Sequence, residues 1–566
     1  MKTKRILQIA CLVWALVTSQ FLSAIGPADF AGGDGLTPTS AYSITTADHL
    51  NAVRGESFAG VYFRLDADIN LAEWSGMDPS NGWTPIPLGV QEFKGHFDGN
   101  DKTISGLWIN RSEGYFGFFR SLSGGAEVTK LNLVLDDTKG GIQGQNSIGG
   151  LVGNVKGNVT IDGCSVTGNI TGSGEKIGGL VGMYEPDNLT ITNSFHRGDV
   201  IGGGRYVGGL IGGSDDWTMS DATLTLTNCY AVGDVDGGNN LCVGGLIGFV
   251  CKNTGSSLNE VQIENCYAQG TVNGNRAGGL IGEFRGSGTL SKCYAICDVT
   301  STSDRAGGLI GVVGDETPAD GVYLFDISQC YAGGSVTATT SEAGGLVGSY
   351  KAGKGYTLSE CYTTNSVVGT DNIGGLIGQN VNSNLLVQNC IAANISISGT
   401  SNVGTLVGMG RIEDPEVITA CSAFGGIVVT GSGGLDATST ISKENANNQA
   451  TYSTWDFTST WTWGNGGYVL PVFKGSDGQP LAGQPTTQPP HLQMPTSLLD
   501  LQGNEPAISV NGHTIQLENV VGIVTITDLS GISQRYPSNG SLNIAVNASG
   551  VYILTINGTA YKVFVK

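Results

Sequence analysis

The chain has 566 residues, of which 90 are glycine and only 13% are charged, and its Lys and Arg fall short of its Asp and Glu by enough to leave a net charge of −20. That balance argues against nucleic acid or an anionic membrane surface as a partner. Five histidines scattered along the chain make no short-spaced zinc cluster with the cysteines.

Residues 1–24 read as a secretory signal peptide. Lys2, Lys4 and Arg5 precede an apolar run from Ile6 to Val17 broken only by Gln8, and Ser23-Ala24 supplies a small-residue cleavage site. Cys11 sits inside that run and does not read as a lipoprotein cysteine. No later stretch is apolar for long enough to span a bilayer as a helix, so the mature protein is expected to be exported, either soluble or held at a surface by something other than a transmembrane helix, and to be a monomer.

Residues 25–110 have their own texture and are placed to cap a repeat array that begins at 111. Thr45-Thr46-Ala47-Asp48 is a capping box, Leu50 and Val53 give a short apolar face, and Gly55 is a stop, so the pattern predicts one helix over 46–54. Alternating strands are expected at 61–65, 69–71, 93–97 and 103–109, with a turn at Asp98-Gly99-Asn100-Asp101.

From 111 to 475 the chain repeats. Gly-Gly-Leu-(Val/Ile)-Gly starts at residues 149, 178, 208, 244, 278, 307, 344 and 374, and Gly404-Thr405-Leu406-Val407-Gly408 is a ninth, altered copy. A period of 29 to 37 residues holding three short β-like pieces and no amphipathic helix predicts an all-β fold, a right-handed parallel β-helix with coils about 4.8 Å apart. Glycine at a coil corner supplies positive φ or close packing. The motif argues against a phosphate loop, because no copy continues into Gly-Lys-Ser/Thr.

A second landmark, Cys164, Cys229, Cys266, Cys293, Cys330, Cys361, Cys390 and Cys421, falls once per repeat, with Ser194 in the missing place. In-register cysteines have parallel Cβ vectors, so a ladder of buried thiols is expected rather than of disulfides. Cys242 and Cys251 lie outside the ladder and are the candidate bridge.

All the length variation falls between the glycine motif and the cysteine, with insertions at 214–222, 252–260 and 313–323. They should share one edge of the rod. Asp215, Asp216, Trp217, Asp221, Asp315, Glu316 and Asp320 stand there as candidates for binding calcium or a glycan, against the plainer reading of solvated loop polarity. Arg197-Gly198-Asp199 spells an integrin-recognition tripeptide, but Val232-Gly233-Asp234 at the same register shows that the repeat template accounts for its Gly and Asp. A polysaccharide lyase or glycoside hydrolase is the rival reading. It would need two carboxylates facing a cleft, and Asp215 and Asp216 diverge if extended.

After Cys421 the repeat fades, and Trp455-Asp456-Phe457, Trp461-Thr462-Trp463 and Tyr468-Val469-Leu470-Pro471 are placed to cap the last coil. Residues 476–500, rich in Pro and Gln, read as an extended linker. Six or seven short strands over 501–566 then suggest a small β-sandwich.

Several of these stretches carry a resemblance. Residues 41–50, 63–71, 83–86 and 93–100 resemble the opening of bacterial GLUG-motif repeat proteins, Tyr115-Phe116-Gly117-Phe118-Phe119 is similar to their first repeat, and the glycine pentapeptides match the motif itself. The likeness covers about residues 40 to 475. It implies a surface or adhesin-like protein. The motif also decorates some immunoglobulin-cleaving metallopeptidases, whose His-Glu-x-x-His is absent here. Asp528-Leu529-Ser530-Gly531, Gly550-Val551-Tyr552-Ile553-Leu554 and the tail from Tyr561 to Lys566 resemble the C-terminal sorting domain of type IX secretion substrates, without its usual Pro-Asn-Pro opening. Together these imply a secreted or outer-surface protein of a Gram-negative bacterium that meets a glycan or a host or matrix surface protein, with no cofactor and no catalytic residues.

Overall fold

The structure is a computed structural model that describes residues 27–492 and 507–565 except for short stretches, the longest being 215–222, 252–260, 315–323 and 411–417. Two units separate at His491 and Leu492. With 55% strand against 6% helix, the chain is all-β, and the first unit is a parallel β-solenoid of about ten turns.

Four parallel sheets make its walls. Taking one coil, Ile177–Gly178 lies in sheet D, Val181–Tyr184 in sheet C, Leu189–Thr192 in sheet A, and Phe195–Arg197 and Val200–Gly202 in sheet B. Each strand pairs in register with its counterpart one coil on, as in Ile177↔Val207, Val181↔Ile211, Leu189↔Leu224 and Phe195↔Tyr230. Alternation decides which side chains turn inward: in Leu-Thr-Ile-Thr, Leu189 and Ile191 are buried and the threonines are not. The motif straddles the bend between sheets D and C, and its Leu, such as Leu180, Leu210 or Leu246, is fully buried.

Close approach, not positive φ, explains the glycines of the motif. A Cβ on Gly208 would lie 2.0 Å from the Ile211 carbonyl, one on Gly209 2.1 Å from the Gly245 carbonyl, and one on Gly212 2.4 Å from the Gly182 carbonyl, and none of the three has positive φ. In the ninth copy Thr405 stands in the second place because no further motif copy packs on it. There Asp436 Oδ1 accepts from its amide, and its hydroxyl accepts from the Ala437 amide.

Left-handed backbone occurs instead at the corner before the cysteine, at Asn193, Asn228, Asn265 and Asn389, with φ of 52°, 56°, 54° and 53°. Asparagine tolerates that region better than other side chains. Asn228 Nδ2 also donates to Asn193 Oδ1 on the coil before (3.0 Å).

The cysteine ladder is buried and unbridged. Each thiol donates to the carbonyl two residues back, as Cys293 does to Ser291 and Cys330 to Ser328, both at 3.1 Å. Ser194 makes the same bond to Thr192 at 2.7 Å, which is why serine substitutes there. The expected Cys242–Cys251 bridge is not formed, and both are thiols. Cys242 sits at a left-handed corner that turns its Sγ to Glu283 on the next coil.

Three boundaries differ from expectation. The 25–110 segment is part of the solenoid, since Tyr42–Ile44, Tyr62–Leu65 and His96–Asp98 lead sheet A in parallel register. Its helix, Ala47–Ala52, has Thr46 as N-cap, and Leu50 is buried in the core. Of the closing aromatics, Tyr468 lies outside the described residues, and the described ones do not cap the last coil. They lie along sheet B, where Phe473 meets Tyr331 (5.4 Å), Tyr331 Oη donates to Gln484 Oε1 (2.7 Å), and Tyr362 Oη donates to the Pro471 carbonyl (2.8 Å). With Gln484 buried and His491 Nε2 donating to the Ala393 carbonyl (2.8 Å), the stretch read as a linker is docked for part of its length.

The second unit is a five-stranded antiparallel sheet whose strands are fewer and longer than expected. Thr514–Asp528 is one long strand, with a bulge between Glu518 and Val520. Ile515, Leu517, Val524, Ile526, Ile544 and Leu554 form its core.

This packing sets two expectations. Gly245→Ala drives a methyl into the Gly279 carbonyl, 2.2 Å away, and should cost at least ~2 kcal/mol. Gly32→Ala, with nothing within 4 Å, should cost little; urea unfolding of the two variants compares them. His196 is fully buried in sheet B beside Val166, with Nε2 donating to the Gly168 carbonyl, and burial holds its pKa below its ordinary value. The unfolded chain therefore binds the extra proton first, so this contribution is whole above about pH 6.5 and is lost as pH falls below it. His196→Val should narrow the gap between melting temperatures at pH 7.5 and pH 5, and an unchanged gap would refute the assignment.

Candidate binding groove

Asp215, Asp216, Trp217, Asp221, Asp315, Glu316 and Asp320 lie outside the described residues. Their points of departure are described. Ile211–Ser214 leads to Leu224–Thr227, Ile247–Cys251 to Val261–Glu264, and Ile310–Val313 to Phe325–Ser328, each a passage from sheet C to sheet A. The insertions leave the solenoid at one corner, as their shared place in the repeat required.

Beside that corner, the outer face of sheets C and D forms a groove that the protein fills with its own side chains. Tyr206 stacks on Phe249 at 4.2 Å, and Arg285 lies over Phe249 at 5.4 Å. Glu283, 1% exposed, is gripped by Arg276 and Arg285 and accepts from the Cys242 thiol at 3.0 Å. Burial pushes its carboxyl up, but the two guanidinium charges outweigh that and hold it below the ordinary range. Further along, Glu342 pairs with Arg305 (3.0 Å) and Lys351 (3.1 Å). Glu283 held this way is ionised and neutralised, so it is not placed to act as a general acid, and Glu342 is likewise tied to two cations. Among the described residues no group of three or more His, Cys, Asp or Glu could hold a metal ion.

The groove is open at its N-terminal end. There a cavity of about 200 Å³ is lined by Glu92, Tyr115, Arg120, Ser121, Asn154 and Lys156, among others. Register explains it. Phe119 pairs with Val152 and Ser121 with Asn154, so Arg120 stands where the next copy has Gly153. A Cβ on Gly153 would lie 2.4 Å from the Phe116 amide of the coil before it. Sheet D begins only at Ile148–Gly149, so Arg120 has no such neighbour and a long side chain fits. Tyr115 occupies the corner position held later by Ser147, Lys176, Tyr206 and Cys242, but those are buried and Tyr115 is 42% exposed.

The charges in this pocket are unequal. Lys156 pairs with Glu185 (3.0 Å) and Glu92 (3.7 Å), and Lys94 with Glu92 (3.6 Å). Burial lowers the Lys156 pKa, but the Glu185 hydrogen bond and the two carboxylate charges outweigh it, so its ammonium stays charged. Arg120 has no ion pair among the described residues and only lies over the Phe116 ring, 5.9 Å away. Ser121 Oγ and Asn154 Oδ1 are buried with no hydrogen-bond partner there. Sequence reading missed this site; its one signal was Arg120, which breaks the motif in Phe-Gly-Phe-Phe-Arg.

The outer face of sheet B offers less. Phe195, Tyr230, Tyr267, Tyr294, Tyr331 and Tyr362 form a stack with ring spacings of 4.6 to 4.9 Å. Their faces are spent on one another, which leaves only edges for a ligand. Arg197 donates to Tyr230 Oη (3.0 Å), and Asp199 Oδ1 accepts from the Asp234 amide one coil on (3.0 Å). The Arg-Gly-Asp tripeptide is thus built into the coil-to-coil bonding.

No family model matches the chain. A candidate Gly-rich membrane protein of Evansella cellulosilytica is 31% identical over 215 residues, which is 32% of this chain and 24% of that protein. Halomucin of Haloquadratum walsbyi is 31% identical over 165 residues, 28% of this chain and 2% of its own length. The chain therefore spans a quarter or less of these relatives. A solved structure, a candidate immunoglobulin A1 protease from Bacteroides ovatus, covers 78% of this chain and 95% of its own at 18% identity with a TM-score of 0.27, too low to carry an argument. Among the described residues no helix is long and apolar enough to cross a membrane.

Glu283→Gln should leave Arg276 and Arg285 facing each other without a counter-charge. An expected loss of about 2–3 kcal/mol lies below that of a fully buried pair, because both arginines stay partly exposed. Glu175→Gln, which breaks the surface pair with Arg205, should cost under ~1 kcal/mol. Equal losses in urea unfolding would contradict the burial argument.

Proposed function

We propose that this is a non-enzymatic repeat protein, secreted or held at the outer surface of a Gram-negative cell, that presents one edge of its solenoid to a glycan or to a host or matrix partner in the manner of an adhesin. The observation that carries this reading is the single corner from which the insertions leave, because a solenoid that lines up its variable loops makes an extended binding edge. The names of the two partly matching relatives, halomucin and a Gly-rich membrane protein, favour a surface setting. The GLUG-like repeats suit the same role. The likeness of 528–566 to a type IX sorting domain supplies a route outward.

A polysaccharide-degrading enzyme would need a pair of free carboxylates across a cleft. Glu283 and Glu342, the groove's buried carboxylates, are each tied to two cations. A glycan array probed with the whole chain should show binding with no release of reducing sugar or unsaturated product. Turnover abolished by replacing one carboxylate would overturn the proposal.

A further inference from the structure

We infer that the cavity at the N-terminal end of the groove is a binding site for a saccharide unit bearing a single carboxylate, with Arg120 as the carboxylate's partner. The inference deepens the glycan-binding reading and rests on it.

Four observations converge. The cavity, about 200 Å³, holds several waters' volume at ~30 Å³ each, room enough for one sugar ring. Its cation is unspent: Lys94 and Lys156 are engaged by Glu92 and Glu185, and Arg120 is not. A guanidinium matches a carboxylate with two parallel hydrogen bonds, which an ammonium does not. Ser121 Oγ and Asn154 Oδ1, in side chains 6% and 2% exposed, line the same cavity without partners. A buried polar atom left unpaired costs free energy that a ligand hydroxyl would recover. Tyr115, 42% exposed, supplies the one open aromatic ring at the rim, and an aromatic face suits the C–H side of a sugar.

Charge restricts the ligand further. A net charge of −20 repels long polyanions, so one terminal acidic unit is favoured over a polymer charged along its length. A neutral sugar would leave Arg120 unpaired. A bare anion would leave Ser121 and Asn154 unpaired.

The test is equilibrium binding by titration calorimetry on the whole chain, with 3′-sialyllactose against lactose and galacturonic acid against galactose. The acidic member of at least one pair should bind at least ~10-fold more tightly than its neutral partner, the size of one charged hydrogen-bonded contact. Arg120→Gln should remove that preference. Lys139→Gln, which changes net charge equally at an exposed site, should keep it. Tyr115→Ala, which leaves the guanidinium in place, should weaken the acidic sugar several-fold, and an unchanged circular dichroism spectrum checks that each variant folds. Equal binding of acidic and neutral members, no binding of either acid, or inorganic sulfate competing as well as the sugars would each overturn the site. Acidic sugars that bind Arg120→Gln as well as the parent would also overturn it, yet leave the broader glycan-binding reading standing.

Discussion

Everything in the solenoid depends on how closely the backbones of sheets C and D can nest. At each motif the chain turns from one sheet to the other with a carbonyl of its own coil 2.0 Å, and one of the next coil 2.1 Å, from where side chains would begin, as at Gly208 and Gly209. Only glycine leaves that space empty. The bend then lets the motif's Leu, between two backbone layers, reach the core, and it fixes register, because a slip by one residue would set Leu against the notch and a glycine in the core. Small residues on the opposite wall answer it: a Cβ on Gly209, Gly245 or Gly279 would meet the methyl of Ala231, Ala268 or Ala295 at 2.7 to 2.9 Å.

Repetition also uses up chemistry. Stacked tyrosines present edges, each thiol gives its hydrogen to a carbonyl two residues back, and Asp199 and Asp234 serve the amides of the coils after them. A residue that recurs at one register is thereby engaged by its own copies, the reason the Arg-Gly-Asp tripeptide and the cysteine ladder do not make sites. Free valence is found where the pattern breaks, as at Ser121 and Asn154 beside the start of sheets C and D.

This division explains what could be read from the sequence. The period of the glycine motif and the once-per-repeat cysteine gave away the solenoid, since both report a contact made identically many times. The left-handed corner before the cysteine went unread, because Asn marks it in some copies but Lys292, Gln329, Glu360 and Ala420 hold it in others. Boundaries were misread because they are set by partners far away in sequence. Nothing local in Gln484 tells of Tyr331, 153 residues back, and the strands of 25–110 join sheet A without any copy of the motif. The Glu283 cluster was equally hidden, because Cys242 and Glu283 face each other across coils, 41 residues apart.

The coil at which sheets C and D begin shows how a break in the array acquires a function that the regular copies cannot have. Inside the array, the place of Arg120 must be glycine and the place of Tyr115 is covered by its neighbours. There the covering strand of sheet D is missing, so a long cationic side chain is tolerated and an aromatic ring stays exposed, beside two buried polar groups that have no hydrogen-bond partner. The structural demand that empties the notch in every later copy is relaxed once. What the fold no longer requires at that position becomes available to a ligand, and the surplus positive charge in an otherwise acidic chain decides which kind.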